Sequence, residues 1–186
     1  GLDGLAAGVS TIASITIMLV ALQEDVMIVA LFTAALAGAA LGFLRYNFNP
    51  AKIFMGDTGS MFLGFILAGI SVIGAVKCTA TIALIVPILA LGLPIMDTTF
   101  AIIRRYRGGV PIFKPDKGHL HHRLLDLGFS QRQAVLLMYV ISALLGLSAV
   151  ALNEVSGGMS IVIVVCVLLV VFLGARKLGI FRLKTN

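Results

Sequence analysis

Residues Gly4–Leu22 read GLAAGVSTIASITIMLVAL and contain no Lys, Arg, Asp or Glu. At a rise of 1.5 Å per residue, about 20 apolar residues cross the roughly 30 Å hydrocarbon core of a bilayer. The run is too long for a strand and its apolar residues do not alternate, so it predicts a membrane-spanning helix. It follows an Asp and has no basic segment before it, which argues against a cleaved signal peptide.

Five further runs of the same kind follow this one. The six predicted spans are 4–22, 26–44, 59–76, 78–96, 134–152 and 155–175. Hydrophobic residues make up 60% of the 186 positions and charged residues 12%, and the mean hydropathy is +1.10. In soluble domains, about 45–50% of the residues are apolar and about 25% are charged. The predicted fold is therefore all-α: a polytopic transmembrane helix bundle that forms a single integral membrane domain over residues 1–186, not a soluble enzyme.

Local signals refine these spans. Ser130-Gln131-Arg132-Gln133 is a capping-box pattern that predicts the start of the fifth helix. Pro87 and Pro94 predict a kink in the fourth helix. Gly38 and Gly42 form a G-x-x-x-G pair that predicts close packing of the second helix.

The basic residues predict the orientation of the bundle. Thirteen of the 14 Lys and Arg residues fall in the loops 45–58 and 97–133 or in the tail 176–186, and Lys77 is the exception. By the positive-inside rule, both loops and the C-terminus are cytoplasmic. The net charge of +6 then reflects topology and contact with anionic lipids of the bilayer, and no nucleic-acid partner is expected.

Ionisable residues gather on this same predicted side. Asp3, Asp57, Asp97 and Asp116 lie there, as do all three histidines. A channel or carrier would place such groups near the middle of the bilayer. Their position at one face instead favours a water-soluble charged substrate that meets a membrane-embedded one.

The loop before the third span ends in Gly-Asp-Thr-Gly-Ser, which opens a helix with free N–H groups in its first turn. Asp57 either caps this helix or binds a hard cation, while Gly56 lets a phosphate group approach. Mg²⁺ needs one or two carboxylates plus substrate phosphates, so one Asp beside glycines is adequate chemistry. Phe54 either anchors the membrane edge or stacks on a flat base.

A structural role can also explain two other acids, Asp3 and Asp97. Asp3 is suited to complement the dipole of the first helix. Asp97, three residues after Pro94, is suited to cap the stretch Thr98–Arg105.

The loop 97–133 contains His119-Leu120-His121-His122 amid basic residues. A zinc site is one interpretation, but no Cys is near and the spacing offers no second ligand pair. The other is a set of donors to a phosphate or sugar, with Arg105 or Arg107 binding a pyrophosphate, and we favour it.

Taken in order, these blocks resemble a known family. They are GLDGL at 1–5, Asn47 with NPAKIFMGDTGS at 49–60, PIMDT at 94–98, Arg104-Arg105, and PDKGHLHHRL at 115–124. The chain is identified on them as similar to the polyprenyl-phosphate N-acetylhexosamine-1-phosphate transferases of glycosyltransferase family 4. The His-x-His-His form resembles the WecA/TagO branch, whereas the related peptidoglycan branch (MraY) usually carries three consecutive histidines.

The resemblance implies a reaction in the bacterial inner membrane. It implies that N-acetylglucosamine-1-phosphate passes from UDP-N-acetylglucosamine to undecaprenyl phosphate, that UMP leaves, and that Mg²⁺, or Mn²⁺ in its place, is the cofactor. The predicted catalytic residues are Asp57, as the metal ligand, and His119. The resemblance implies that the substrate-binding residues are Asp3, Asn47, Phe54, Gly56, Arg105, Asp116, His121 and His122.

One part of the family pattern is missing from the chain. The family's paired Asp-Asp motif, thought to handle the acceptor phosphate, would precede Gly1, so we expect the chain to be the C-terminal part of a larger transferase and inactive alone. A homodimer is an open assembly state. The alternative function is a fragment of a polytopic transporter with a cytoplasmic His/Asp metal site.

Overall fold

The computed structural model describes residues 2–75, 80–109, 111, 118–154, 162, 165–167, 169, 170 and 174. Within these residues the chain is helical and holds no strand, in agreement with the predicted all-α class. The helices are α1 (Leu5–Gln23), α2 (Met27–Asn47), α3 (Gly56–Ala75), α4 (Ala80–Ala90), α5 (Gly92–Arg107), α6 (Leu120–Asp126) and α7 (Gln131–Glu154).

Four of these helices are long and apolar enough to cross a membrane: α1, α2, α3 and residues Gln131–Leu152 of α7. They cover the first, second, third and fifth predicted spans. α2 continues to Asn47 and α3 already begins at Gly56, because backbone hydrogen bonding continues beyond the point where the apolar run ends. The connection between them is therefore shorter than the predicted loop 45–58.

The fourth predicted span is divided into two helices. α4 ends at Ala90 and α5 begins at Gly92, and over the described residues neither is long enough to cross a membrane by itself. Pro87 and Pro94 lack the N–H groups that would continue the hydrogen-bond ladder through this region. α5 then extends to Arg107, well into the predicted loop 97–133. The sixth predicted span, 155–175, lies largely outside the described residues.

α1 is the central helix of the described bundle. It packs against α2 on one side and α7 on the other, and it also contacts α3 and α4. One apolar cluster joins α1 to α4–α7 and another joins it to α2 and α3. Gly8 permits the close approach of α7, because a Cβ at this position would overlap the Tyr139 ring.

The capping box and the glycine pair, two of the predicted local signals, have different outcomes in the structure. The capping box is confirmed: Ser130 N donates to Gln133 Oε1 at 2.9 Å, and Gln133 N donates to Ser130 Oγ at 3.3 Å. Gly38 and Gly42 face outwards, with no described atom within 4 Å of a Cβ built on either. The predicted close packing through this pair therefore involves none of the described helices.

Candidate active site

The connection between α2 and α3 is fixed at its start by Asn47. This side chain is 6% exposed. Its Oδ1 accepts a hydrogen bond from Gly4 N at 3.1 Å, and its Nδ2 donates to Ile53 O at 2.8 Å. One amide therefore joins the start of α1 to the far end of the connection.

Asp3 fixes the middle of the same connection. Its Oδ2 accepts from Asn49 Nδ2 at 3.1 Å and from Ala51 N at 3.2 Å. Asn49 O in turn accepts from Arg132 Nε at 2.9 Å, which adds the first turn of α7. The sequence predicts Asp3 and Asn47 as substrate-binding residues. In the structure, the side chains of both form hydrogen bonds that hold the connection between α2 and α3.

The loop held in this way presents Phe54 and Asp57. Phe54 is 75% exposed, as a ring must be if it is to stack on a base. Gly56 is the first residue of α3 and has φ +64°. Asp57 therefore lies inside the first turn and not at the cap. Its carboxylate is exposed, and no described hydrogen bond reaches it.

Asp97 and His119 form the second part of the site. Asp97 Oδ2 lies 2.9 Å from His119 Nδ1, and its Oδ1 accepts from Leu120 N at 2.8 Å. The expectation that Asp97 caps Thr98–Arg105 is wrong, because it lies within α5 and holds the start of α6 instead. Asp97 was not among the predicted site residues, and the signal that could have identified it is the PIMDT block at 94–98.

The three histidines are adjacent in space. The His119 and His121 rings are stacked with centroids 5.6 Å apart, and the His121 and His122 centroids are 4.3 Å apart. Burial, followed by the charge of His122, lowers the pKa of His121 to about 4, although Asp97 acts in the opposite direction. His121 is therefore neutral at pH 7.

Basic side chains surround this cluster. Arg104, Arg105 and Arg107 occupy the last turn of α5, and Arg105 is half-buried. Arg123 Nε donates to Gly118 O at 3.4 Å. Arg104 lies so close over Gly118 that a side chain at this position would overlap its guanidinium group. The predicted site residue Asp116 lies outside the described residues.

A cavity of about 650 Å³ lies between α1, α3, α5 and α7. Most of its walls are apolar, but Ser60, Asp97, Thr98 and Thr99 also line it. Ser60 Oγ donates to Asp57 O at 3.1 Å, and Asp97 holds His119. The cavity is thus lined both by Ser60 of α3 and by Asp97 of α5. We call this end of the bundle the polar end.

The metal-binding capacity of the polar end rests on Asp57. No three His, Cys, Asp or Glu side chains are grouped as metal ligands in the part of the chain that the structure describes. Space is open beside Asp57, since nothing lies within 4 Å of a Cβ built at Gly56. One carboxylate with room for phosphate oxygens fits the demands of Mg²⁺.

The fold and the polar end define an integral membrane protein with a site at one end of a helix bundle. Residues 1–75 match the family described as glycosyl transferase family 4. The chain is 42% identical, over 99% of its length, to a probable undecaprenyl-phosphate N-acetylglucosaminyl 1-phosphate transferase of Bacillus subtilis, of which the alignment covers 51%. The predicted resemblance to glycosyl transferase family 4 is therefore confirmed, and this relative gives no support to the transporter alternative.

Two further relatives have names of the same kind. A decaprenyl-phosphate N-acetylglucosaminephosphotransferase of Mycobacterium leprae is 42% identical over 75% of the chain and 40% of its own length. An undecaprenyl-phosphate alpha-N-acetylglucosaminyl 1-phosphate transferase of Escherichia coli is 31% identical over 78% of the chain and 41% of its own length. The chain thus spans about half the length, or less, of these curated relatives.

Proposed function

We propose that the chain is part of a transferase that moves N-acetylglucosamine-1-phosphate from UDP-N-acetylglucosamine to undecaprenyl phosphate. A phosphate oxygen of the acceptor attacks the sugar-linked phosphorus. The bond from this phosphorus to the UMP oxygen breaks, and UMP leaves with the bonding electrons. The relatives named for this transfer support the proposal.

The observation that carries the proposal is the cavity at the polar end. Its apolar walls, which include Leu5, Val9 and Leu67, suit a polyprenyl chain, while Asp97 and its neighbours provide a polar rim. A lipid with a phosphate head fits this combination, because the chain can remain in an apolar environment while the head reaches the donor. Ser60, which also lines the cavity, lies on α3, the helix that carries the exposed Asp57.

The donor is proposed to bind along the α2–α3 connection and the α5–α6 region. Phe54 stacks on uracil, and Asp3, Asn47 and Gly56 shape the pocket around the nucleotide. Arg105 contacts the diphosphate. Asp116, His121 and His122 recognise the sugar. Such positioning supplies much of the rate in phosphoryl transfer, since it converts the encounter of two substrates into a reaction within one complex.

Asp57 would hold Mg²⁺, or Mn²⁺ in its place. The ion, when bound, neutralises the charge that develops on the diphosphate oxygens. The N-terminus of α3 favours the same anionic group through its free N–H groups.

The orientation of the protein is part of the proposal. The polar end and the C-terminus face the cytoplasm of a bacterial cell, where nucleotide sugars are dissolved, and the bundle spans the inner membrane. A homodimer is compatible with this arrangement. The 186 residues alone are proposed to be insufficient for turnover.

The test is Asp57→Asn in the full-length protein. We expect UMP release from UDP-N-acetylglucosamine to fall by about 10²-fold or more, because the metal loses its carboxylate ligand while the side-chain shape is kept. Release is measured against Mg²⁺ concentration with undecaprenyl phosphate present.

The matched control is Asp25→Asn. Asp25 is an exposed acid that precedes α2 at the opposite end of α1 from the polar end, and its positive φ of 57° is one that Asn tolerates. Its substitution should leave turnover unchanged. Near-normal turnover by Asp57→Asn would remove Asp57 from its metal-binding role.

A further inference from the structure

The carboxylate of Asp97 holds two different groups of the α5–α6 region. One oxygen contacts the His119 ring at 2.9 Å and the other accepts from the Leu120 backbone at 2.8 Å. The side chains of Asp97 and His119 are 17% and 28% exposed. The ring of His119 and the backbone that follows it are thus fixed by the same side chain.

This contact determines which ring nitrogen carries the proton. An ionised carboxylate can only accept hydrogen bonds, so Nδ1 must be the donor. In a neutral imidazole, Nε2 is then unprotonated and can accept a proton or a hydrogen bond. Carboxylates fix histidine tautomers in this way at metal and catalytic sites.

We propose that Asp97 is a positioning residue that holds His119 as its Nδ1–H tautomer and thereby makes Nε2 an acceptor for an O–H group of a bound substrate. The inference rests on the proposed function and deepens it. The O–H group belongs either to a hydroxyl of the donor sugar or to a protonated phosphate oxygen of the acceptor. In this role His119 accepts a hydrogen bond, whereas the sequence predicts the histidines as donors to a phosphate or sugar.

The neighbourhood of His119 contains a second imidazole and two guanidinium groups. His121 stacks on it at 5.6 Å and is itself neutral at pH 7, because its pKa is about 4. The carboxylate of Asp97 lies 2.9 Å from the Nδ1 atom of His119. Arg104 and Arg123 lie next to Gly118, where they provide positive charge for an anionic substrate.

Asp97→Asn separates the two functions of the carboxylate. Its Oδ1 can still accept from Leu120 N and hold the start of α6. Its Nδ2 is a donor, so it requires an unprotonated Nδ1 and moves the His119 proton to Nε2. The acceptor is lost while the helix start is kept.

In the full-length protein, we expect Asp97→Asn to lower kcat by at least about tenfold without a change in melting temperature. His119→Ala should give a similar loss of kcat. In the His119→Ala background, Asp97→Asn should lower kcat by less than about a further threefold, because the two residues act as a unit. Asp25→Asn is the control and should behave as wild type. A raised KM for UDP-N-acetylglucosamine assigns the O–H group to the sugar, and a raised KM for undecaprenyl phosphate assigns it to the acceptor.

Full activity of Asp97→Asn would overturn the inference, as would an undiminished effect of this substitution in the His119→Ala background. A second measurement does not depend on turnover. The ¹⁵N resonances of labelled histidine, with His119→Gln used for assignment, should show Nδ1–H in the wild type and Nε2–H in Asp97→Asn. If the wild type shows Nε2–H, the inference fails. If it shows Nδ1–H in a protein that releases no UMP from this donor, the positioning contact stands and the proposed function fails.

Discussion

His121 is held without a proton at neutral pH because burial, followed by His122, lowers its pKa to about 4. In the unfolded chain the pKa of a histidine is about 6.5. Between these values the unfolded state binds more protons than the folded state. The free energy of unfolding therefore falls as the pH is lowered from about 6.5 towards 4.

We expect His121→Gln to reduce this loss of stability in acid. Thermal unfolding of the full-length protein in detergent is measured at intervals between pH 7 and pH 5, and the decline in melting temperature should be shallower for the variant. His122→Gln is the matched control: it keeps the buried imidazole of His121 and should retain more of the decline. A His121→Gln variant with the wild-type pH dependence would contradict the lowered pKa.

At the level of elements, the connection between α2 and α3 is an ordered part of the site. Asn47 bonds to Gly4 and Ile53, and Asp3 bonds to Asn49 and Ala51. Because Phe54 and Asp57 follow directly, the same bonds help to determine where the Phe54 ring and the Asp57 carboxylate lie relative to α1. The loop is therefore held by side-chain hydrogen bonds and is not only a link between two helices.

Asn47→Ala should release this loop. The substitution leaves Gly4 N and Ile53 O without their described side-chain partner, at a cost of about 1–3 kcal/mol for each group that stays buried. We expect faster hydrogen exchange in residues 48–55 and a higher KM for UDP-N-acetylglucosamine. Lys52→Ala is the control, because it removes an exposed side chain and keeps the bond from Lys52 N to Tyr46 O. Unchanged exchange in Asn47→Ala would show that other contacts hold the loop.

The elements that were predicted correctly depend on local information. Hydropathy along the chain identified α1, α2, α3 and α7, and the capping box identified the start of α7 to the residue. The fourth span is divided into two helices at Leu91, which is a larger change than the predicted kink. Hydropathy does not register the missing backbone N–H donors of Pro87 and Pro94. The role of Asp97 was missed because its partners, His119 and Leu120, are 22 and 23 residues away, a distance that only the folded chain closes.

Over the whole molecule, two of the helices that line the cavity, α1 and α3, are buried to different extents. In the most apolar stretch of α1, 56% of the residues are buried, whereas in that of α3, which carries Asp57, only 17% are buried. Few residues of α3 are therefore covered by the described part of the chain. In-line transfer requires both substrates to be held within about 0.5 Å of the reactive geometry.

We therefore expect the purified 186-residue chain to release no UMP above a protein-free background. The full-length protein, assayed with the same UDP-N-acetylglucosamine, undecaprenyl phosphate and Mg²⁺, should release it readily. The physical reasons are that the described residues cover little of α3, which carries Asp57, and that the chain spans 51% of the length of the Bacillus subtilis relative. A cooperative thermal transition of the chain serves as the control that it is folded. Release by the folded chain at a rate near that of the full-length protein would show that these helices alone suffice to hold both substrates.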